Sequence, residues 1–335
     1  MLRLPWFDYR APRTVAEAAR ILAGEGPAAM LVAGGTDLLP NMKRRHQTPK
    51  CLVSLRQVGE LKNVSNGGGV TFGSCLTLSD IVRHRKTPAA LRQAAGQIAT
   101  PHLRNMGTLG GNLCLDTRCT YYNQNFEWRQ AIGFCLKKDG QTCWVATASK
   151  RCVAVSSTDS APALLALGAS VKLASDSGER EIALEDLYKN DGIAYLSRRP
   201  DEVLTEVRIP DRGYRSTYWK LRRRGSFDFP ILGVAAALKL QGDVVEEARI
   251  ALGAVASRPF LVEKAGEFLR GKKLTDEVIA EASALVANRA KPMDNTDMDL
   301  YWRKEVADDF AGYALRELRG DDMRETRQRT ARFLL

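Results

Sequence analysis

The chain has 335 residues, 44% hydrophobic and 27% charged, which is the composition of a globular protein long enough for more than one core. It contains no run of eighteen apolar residues, and Pro5 and Asp8 break the apolar stretch that a secretory signal needs, so neither a membrane-spanning helix nor export is expected and the cytoplasm is the default location. A net charge of +11 points to an acidic partner or ligand. The basic residues are dispersed, however, and even Lys43-Arg44-Arg45, Arg222-Arg223-Arg224 and the C-terminal Arg324, Arg327, Arg329 and Arg332 come without a zinc-finger or RNA-binding signature, so nucleic-acid binding is not expected.

In chain order, Thr14-Val15-Ala16-Glu17 fits a capping box and opens a predicted helix through Leu22. Ala29 to Ala33 reads as a short buried strand running into Gly34-Gly35-Thr36-Asp37, and Cys51 to Leu55 as a second strand. Asn66-Gly67-Gly68-Gly69 predicts a hairpin turn, and Thr77–His84 and Pro88–Ile98 predict helices. The first third therefore alternates strands and helices. Beyond residue 156 a helix at Ala161–Leu167 leads into a strand at Ser170–Ala174. Further strands are predicted at Tyr218–Arg222, Leu232–Leu240 and Glu247–Leu252, with Gln241-Gly242-Asp243 turning between the last two. Pro259–Leu269, Thr275–Asn288 and Thr296–Leu318 have helical periodicity, which makes a separate α+β unit after the turn-rich Pro210-Asp211-Arg212-Gly213.

Ala33-Gly34-Gly35-Thr36-Asp37-Leu38 places consecutive glycines after a strand, where backbone N–H groups converge on an anion or the chain simply turns. Thr108-Leu109-Gly110-Gly111-Asn112 repeats the Thr and Gly-Gly elements, so the two motifs together suggest two ends of a dinucleotide site. The segment between Cys114 and Ser156 has no sustained periodicity, is rich in aromatic residues and holds Cys119, Cys135, Cys143 and Cys152. A long irregular stretch needs something to order it, and four thiolates suit an iron–sulfur cluster or zinc, although the spacing names neither. Cys51, Cys75 and Cys114 sit in apolar contexts and read as core residues. The three histidines have no metal-ligand spacing, and no hydrolytic triad order is present.

Together these residues resemble the flavoprotein subunit of the xanthine oxidase and carbon monoxide dehydrogenase family, over nearly the whole chain. The family's A-G-G-T-D-L motif stands as Ala33 to Leu38 and its T-x-G-G-N motif as Thr108 to Asn112. Its following acidic residue matches Asp159, its strand beside the flavin ring matches Asp201 to Pro210, and its lysine near that ring matches Lys220 in Tyr218-Trp219-Lys220. The resemblance implies FAD contacts at Leu31, Val32, Ala33, Gly34, Gly35, Thr36, Asp37, Leu38, Ile98, Thr108, Leu109, Gly110, Gly111, Asn112, Asp159, Leu204 and Lys220. The Cys114–Ser156 segment is similar to the insertion of the 4-hydroxybenzoyl-CoA reductases, in particular at Asp116 to Gln124 and Cys135 to Lys138. That likeness implies a 4Fe–4S cluster on Cys119, Cys135, Cys143 and Cys152.

The implied fold class is α+β. A two-part α/β FAD-binding domain of the PCMH, CO dehydrogenase flavoprotein type spans 1–212, with subdomains about 1–57 and 58–212 and the iron–sulfur insertion at 115–155. A C-terminal domain of antiparallel sheet plus helices spans 213–335. The implied partners are a molybdopterin-bearing large subunit carrying the substrate site and a small subunit with two 2Fe–2S clusters, in a dimer of heterotrimers. The insertion carries Arg118, Arg129, Lys137, Lys138, Lys150 and Arg151 against Asp116, Glu127 and Asp139, which suggests a landing site for an acidic ferredoxin-like donor.

Overall fold

The computed structural model describes residues 3–332, in three sheets with helices packed on them. The first lobe is a parallel three-stranded sheet, order β1-β3-β2, made of β1 (Asp8–Arg10), β2 (Ala29–Val32) and β3 (Cys51–Ser54). Helix α1 (Val15–Glu25) connects β1 to β2, and α2 (Leu38–Lys43) follows the first glycine motif. Thr14 caps α1 as expected by accepting from the Glu17 N–H, but the Glu17 carboxylate reaches back to the Arg13 N–H rather than to its own cap residue. Strand β2 is only half-buried because its side chains border an open cleft.

The second lobe is an antiparallel five-stranded sheet, order β4-β5-β8-β6-β7. Strands β4 (Val64–Asn66) and β5 (Gly69–Gly73) form the predicted hairpin. Helices α3 (Leu78–Arg83), α4 (Ala89–Gly96), α5 (Pro101–Arg104) and α6 (Leu109–Leu113) come next. The segment that follows has one short helix, α7 (Phe126–Ala131), before α8 (Ser160–Ala166), β6 (Ser170–Ser175), β7 (Gly178–Ala183) and β8 (Val203–Pro210).

The third lobe is an antiparallel sheet, order β12-β11-β10-β9, of β9 (Arg215–Leu221), β10 (Leu232–Gln241), β11 (Val244–Gly253) and β12 (Phe260–Leu261). Helices α9 (Glu263–Leu269), α10 (Asp276–Arg289), α11 (Leu300–Arg319) and α12 (Arg324–Arg332) complete it. The start of the helix expected from Pro259 is instead the edge strand β12, paired with β11. Strand β10 is buried on both faces from Leu232 to Leu238, which explains its nearly unbroken apolar run. Its Val234, Ala236 and Leu238 face the lobe's own helices, while Ala235 and Ala237 enter the core of the second lobe beside α8.

The irregular segment ties all three lobes together. Arg118 pairs with Asp37 and donates to the Asn41 Oδ1 at 3.0 Å, and Arg129 donates to the carbonyl of Arg44 at 3.1 Å, both in the first lobe. The Thr120 N–H donates to the Asn295 carbonyl at 2.9 Å in the third lobe. The Gly192 N–H, on the second lobe, donates to the Cys152 carbonyl at 2.9 Å.

Candidate cofactor site

A cavity of about 290 Å³ opens between the first two lobes, roofed by the loop from β9 to β10. Leu31 to Leu38 form one wall, Thr108, Gly110, Gly111 and Asn112 face them, and Ile98, Asp159 and Leu204 close the floor. Of the residues expected at a flavin, only Leu109 and Lys220 are placed elsewhere. Leu109 is fully buried in the core of the second lobe. Lys220 is also fully buried, behind Asp159 rather than on the cavity wall.

The first glycine motif is shaped by close approach. A Cβ on Gly34 would lie 1.9 Å from the Met106 carbonyl oxygen, so only a glycine lets these two loops meet. Gly35 follows with a φ of 70° and turns the chain into α2. Among the described residues, the backbone N–H groups of Gly34, Gly35, Thr36 and Asp37 donate to no protein acceptor, an arrangement suited to an anion. The second motif departs from the expected pairing of two such nests. Thr108 caps α6 by accepting from the Gly111 N–H at 3.1 Å, and the Gly110 N–H is used by the Ser74 carbonyl at 2.8 Å. Its glycines serve packing: a Cβ on Gly110 would stand 2.7 Å from the Cβ of Ser74. The Ser74 hydroxyl, buried on the cavity wall, has no hydrogen-bond partner among the described residues.

Asp159 is almost wholly buried, and two groups hold it. Its Oδ1 accepts from the Tyr218 hydroxyl at 2.7 Å and its Oδ2 from the Lys220 ammonium at 3.0 Å, which also donates to the Gln97 carbonyl at 3.1 Å. Burial pushes the Asp159 carboxyl up and the Lys220 ammonium down, each opposed by the charge of the other. Phe227 and Phe229, both largely exposed, stand at the mouth, and the Arg118 guanidinium lies 5.1 Å from the Phe229 ring. Sequence reading missed this aromatic rim, whose only signal was two phenylalanines in a charged loop.

A second, much smaller cavity lies in the irregular segment, and Cys119, Cys135, Cys143 and Cys152 all line it with Tyr121, Tyr122 and Trp144. All four thiols are buried, and burial pushes those of Cys119 and Cys152 up to about 11. Among the described residues no three His, Cys, Asp or Glu side chains are gathered tightly enough to hold a single metal ion. Cys51 and Cys75 pack in the core of the first lobe, and Cys114 borders the larger cavity while packing on the second-lobe core.

The basic landing surface expected on this segment is reduced. Arg118, Arg129 and Lys137 are buried and pair inwardly, with Asp37, the Arg44 carbonyl and Asp116 respectively. Lys150 and Arg151 are exposed and Lys138 partly so. A six-residue charge tally could not distinguish these two groups, because the partners of the buried ones lie far away in sequence.

No helix among the described residues is long and apolar enough to cross a membrane. Comparison with known families matches residues 5–212 to the FAD-binding domain in molybdopterin dehydrogenase and residues 216–318 to the C-terminal domain of CO dehydrogenase flavoprotein. The chain is 32% identical to the FAD-binding subunit of an aldehyde oxidoreductase from Escherichia coli K12, over 85% of this chain and 93% of that one. It is 30% identical to the medium chain of carbon monoxide dehydrogenase from Afipia carboxidovorans, over 84% and 87%. Its fold superposes on a chain of reconstituted CO dehydrogenase from Oligotropha carboxidovorans with a TM-score of 0.77, at 27% identity and 95% and 99% coverage. The chain is therefore an oxidoreductase subunit that belongs to the FAD-binding subunits of the molybdenum hydroxylases, the xanthine oxidase and CO dehydrogenase family.

Proposed function

We propose that this chain is the FAD- and 4Fe–4S-bearing electron-transfer subunit of a molybdenum-dependent complex of the 4-hydroxybenzoyl-CoA reductase type. The observation that carries this reading is the convergence of four buried cysteines on one cavity, within a segment docked beside the flavin-type cleft. Four buried cysteine side chains on one cavity are a donor set that an iron–sulfur cluster would use.

FAD, when bound, supplies exchange between two-electron and one-electron carriers. In the proposed site the N–H groups of Gly34 to Asp37 and the Ser74 hydroxyl would hold its phosphates, while Asp159 would accept from its ribityl hydroxyls. Lys220 and Tyr218 orient that carboxylate, and Phe227 and Phe229 limit water at the mouth. Ile98 and Leu204 supply an apolar surface. The proposed partners are a molybdopterin-bearing large subunit, which would hold the substrate, and a small subunit with 2Fe–2S clusters. A ferredoxin-like donor would meet only Lys138, Lys150 and Arg151 on the insertion, so its docking depends on few charges.

A second reading is an aldehyde- or CO-oxidising complex, favoured by the identity to an aldehyde oxidoreductase subunit and to a CO dehydrogenase medium chain. Two assays on the purified complex separate these. Reduction of 4-hydroxybenzoyl-CoA by a low-potential donor supports the first reading, and aldehyde or CO oxidation without it supports the second. Serine substitution at Cys119, Cys135, Cys143 or Cys152 should lower iron content while Cys75→Ser does not. Equal loss from all five would show that the cysteines are wrongly divided.

A further inference from the structure

The two cavities share a wall, and the wall contains a buried ion pair. The Lys137 ammonium lies 2.8 Å from the Asp116 Oδ1, with both side chains almost completely buried. Lys137 lines the cysteine cavity, where it is the one charged side chain among the described lining residues. Asp116 lines the flavin-type cavity. Lys137 spends its remaining donors on the Thr117 hydroxyl at 2.7 Å and the Gly192 carbonyl at 2.6 Å, and sits 4.7 Å from the Tyr122 ring centroid. The Tyr122 hydroxyl donates to the other oxygen of Asp116 at 2.9 Å.

We propose that Lys137 is a positioning residue that offsets negative charge at the cysteine site and, through Asp116, couples that site electrostatically to the flavin cavity. This rests on the iron–sulfur reading of the four cysteines. Four thiolates around a cluster carry net negative charge, and taking such charge out of water is costly unless a cation lies close by in the same low-dielectric region. Lys137 is held there by three fixed acceptors, so its charge cannot swing away to solvent. Asp116 places the opposite charge on the far side of the wall, where it opposes added electrons in the neighbouring site.

The pair therefore makes opposite predictions for its two members. Lys137→Met removes the cation and leaves Asp116 unbalanced, so the midpoint potentials of both the iron site and the flavin move more negative. Asp116→Asn removes the anion and keeps the cation, so both move more positive. Lys137→Arg keeps the charge and restores values near those of the wild type. The experiment is an anaerobic spectroelectrochemical titration of the purified complex, read separately at the flavin and iron–sulfur bands. If Lys137→Met loses its iron, the sign of the Asp116→Asn shift decides. Opposite shifts from the two variants support the coupling. Unchanged potentials in iron-containing variants overturn it while leaving the cluster reading intact. A wild-type complex without iron overturns the cluster reading and this proposal together.

Discussion

The Lys220 ammonium and the Asp159 carboxylate meet at 3.0 Å in full burial, one residue layer behind the cavity that Asp159 lines. This arrangement makes Lys220 the support of a site carboxylate, joined by Tyr218 on the other oxygen. Replacing one member of such a pair strands the other. Lys220→Met should cost about 3–5 kcal/mol of stability and weaken flavin retention, whereas Lys220→Met with Asp159→Asn should cost clearly less in stability. Urea unfolding midpoints and flavin titration of the two variants check this. A single variant as stable as the wild type would contradict it.

Gly34→Ala should abolish flavin retention, since its Cβ would collide with the Met106 carbonyl and push the two loops apart. Gly24→Ala is the control. Nothing lies within 4 Å of the new Cβ inside α1, so flavin retention should be unchanged and stability raised by about 0.5–1 kcal/mol. Flavin-to-protein absorbance ratios and melting curves report both.

The His46 ring stacks on Tyr122 at 4.3 Å, and its Nε2, facing the Gln124 carbonyl at 3.1 Å, must carry the hydrogen. Burial lowers its pKa from 6.5 to about 4. The unfolded chain thus takes up a proton that the folded chain refuses, so this contribution to stability is complete above pH 6.5 and is lost as the pH falls toward 4. His46→Gln should flatten the pH dependence of the unfolding midpoint within that window. An identical slope in variant and wild type would count against the neutral buried imidazole.

Arg303 is fully buried and donates to the carbonyls of Met293, Ile231 and Ala254, at 3.0, 3.3 and 2.8 Å. It fastens α11 to the ends of β10 and β11, and no carboxylate among the described residues pairs with it. Lysine would replace two separated guanidinium nitrogens with one shorter-reaching ammonium, so Arg303→Lys should lower the melting temperature by several degrees. Scanning calorimetry measures that shift, and an unchanged transition would show that the three bonds contribute little.

What the sequence revealed followed from local signals. Gln241-Gly242-Asp243 between two apolar runs marked the β10–β11 hairpin, and Thr14 marked the start of α1. Helix α12 was hidden because its residues are charged all round: it is held by Arg327, which pairs with Glu317 at 2.7 Å and stacks 4.1 Å over Trp219. Helix α6 was hidden by its own glycines, which are poor helix formers and drew attention to an anion nest instead. In the site, the strand-to-glycine run at Ala33 was legible because backbone geometry demands particular residues. Lys137 was not, since a lysine in a polar loop looks solvated until the fold brings Asp116 to it.

The proposed iron–sulfur cluster on the insertion of this flavin subunit is tested most directly by metal content. The complex, purified anaerobically, is assayed for flavin, iron, acid-labile sulfide and zinc, and its small subunit is assayed separately so that its own clusters can be subtracted. One flavin in this chain is expected together with iron and acid-labile sulfide in equal amounts, both lost on Cys135→Ser. Zinc in place of iron, or flavin alone with no sulfide, would contradict it.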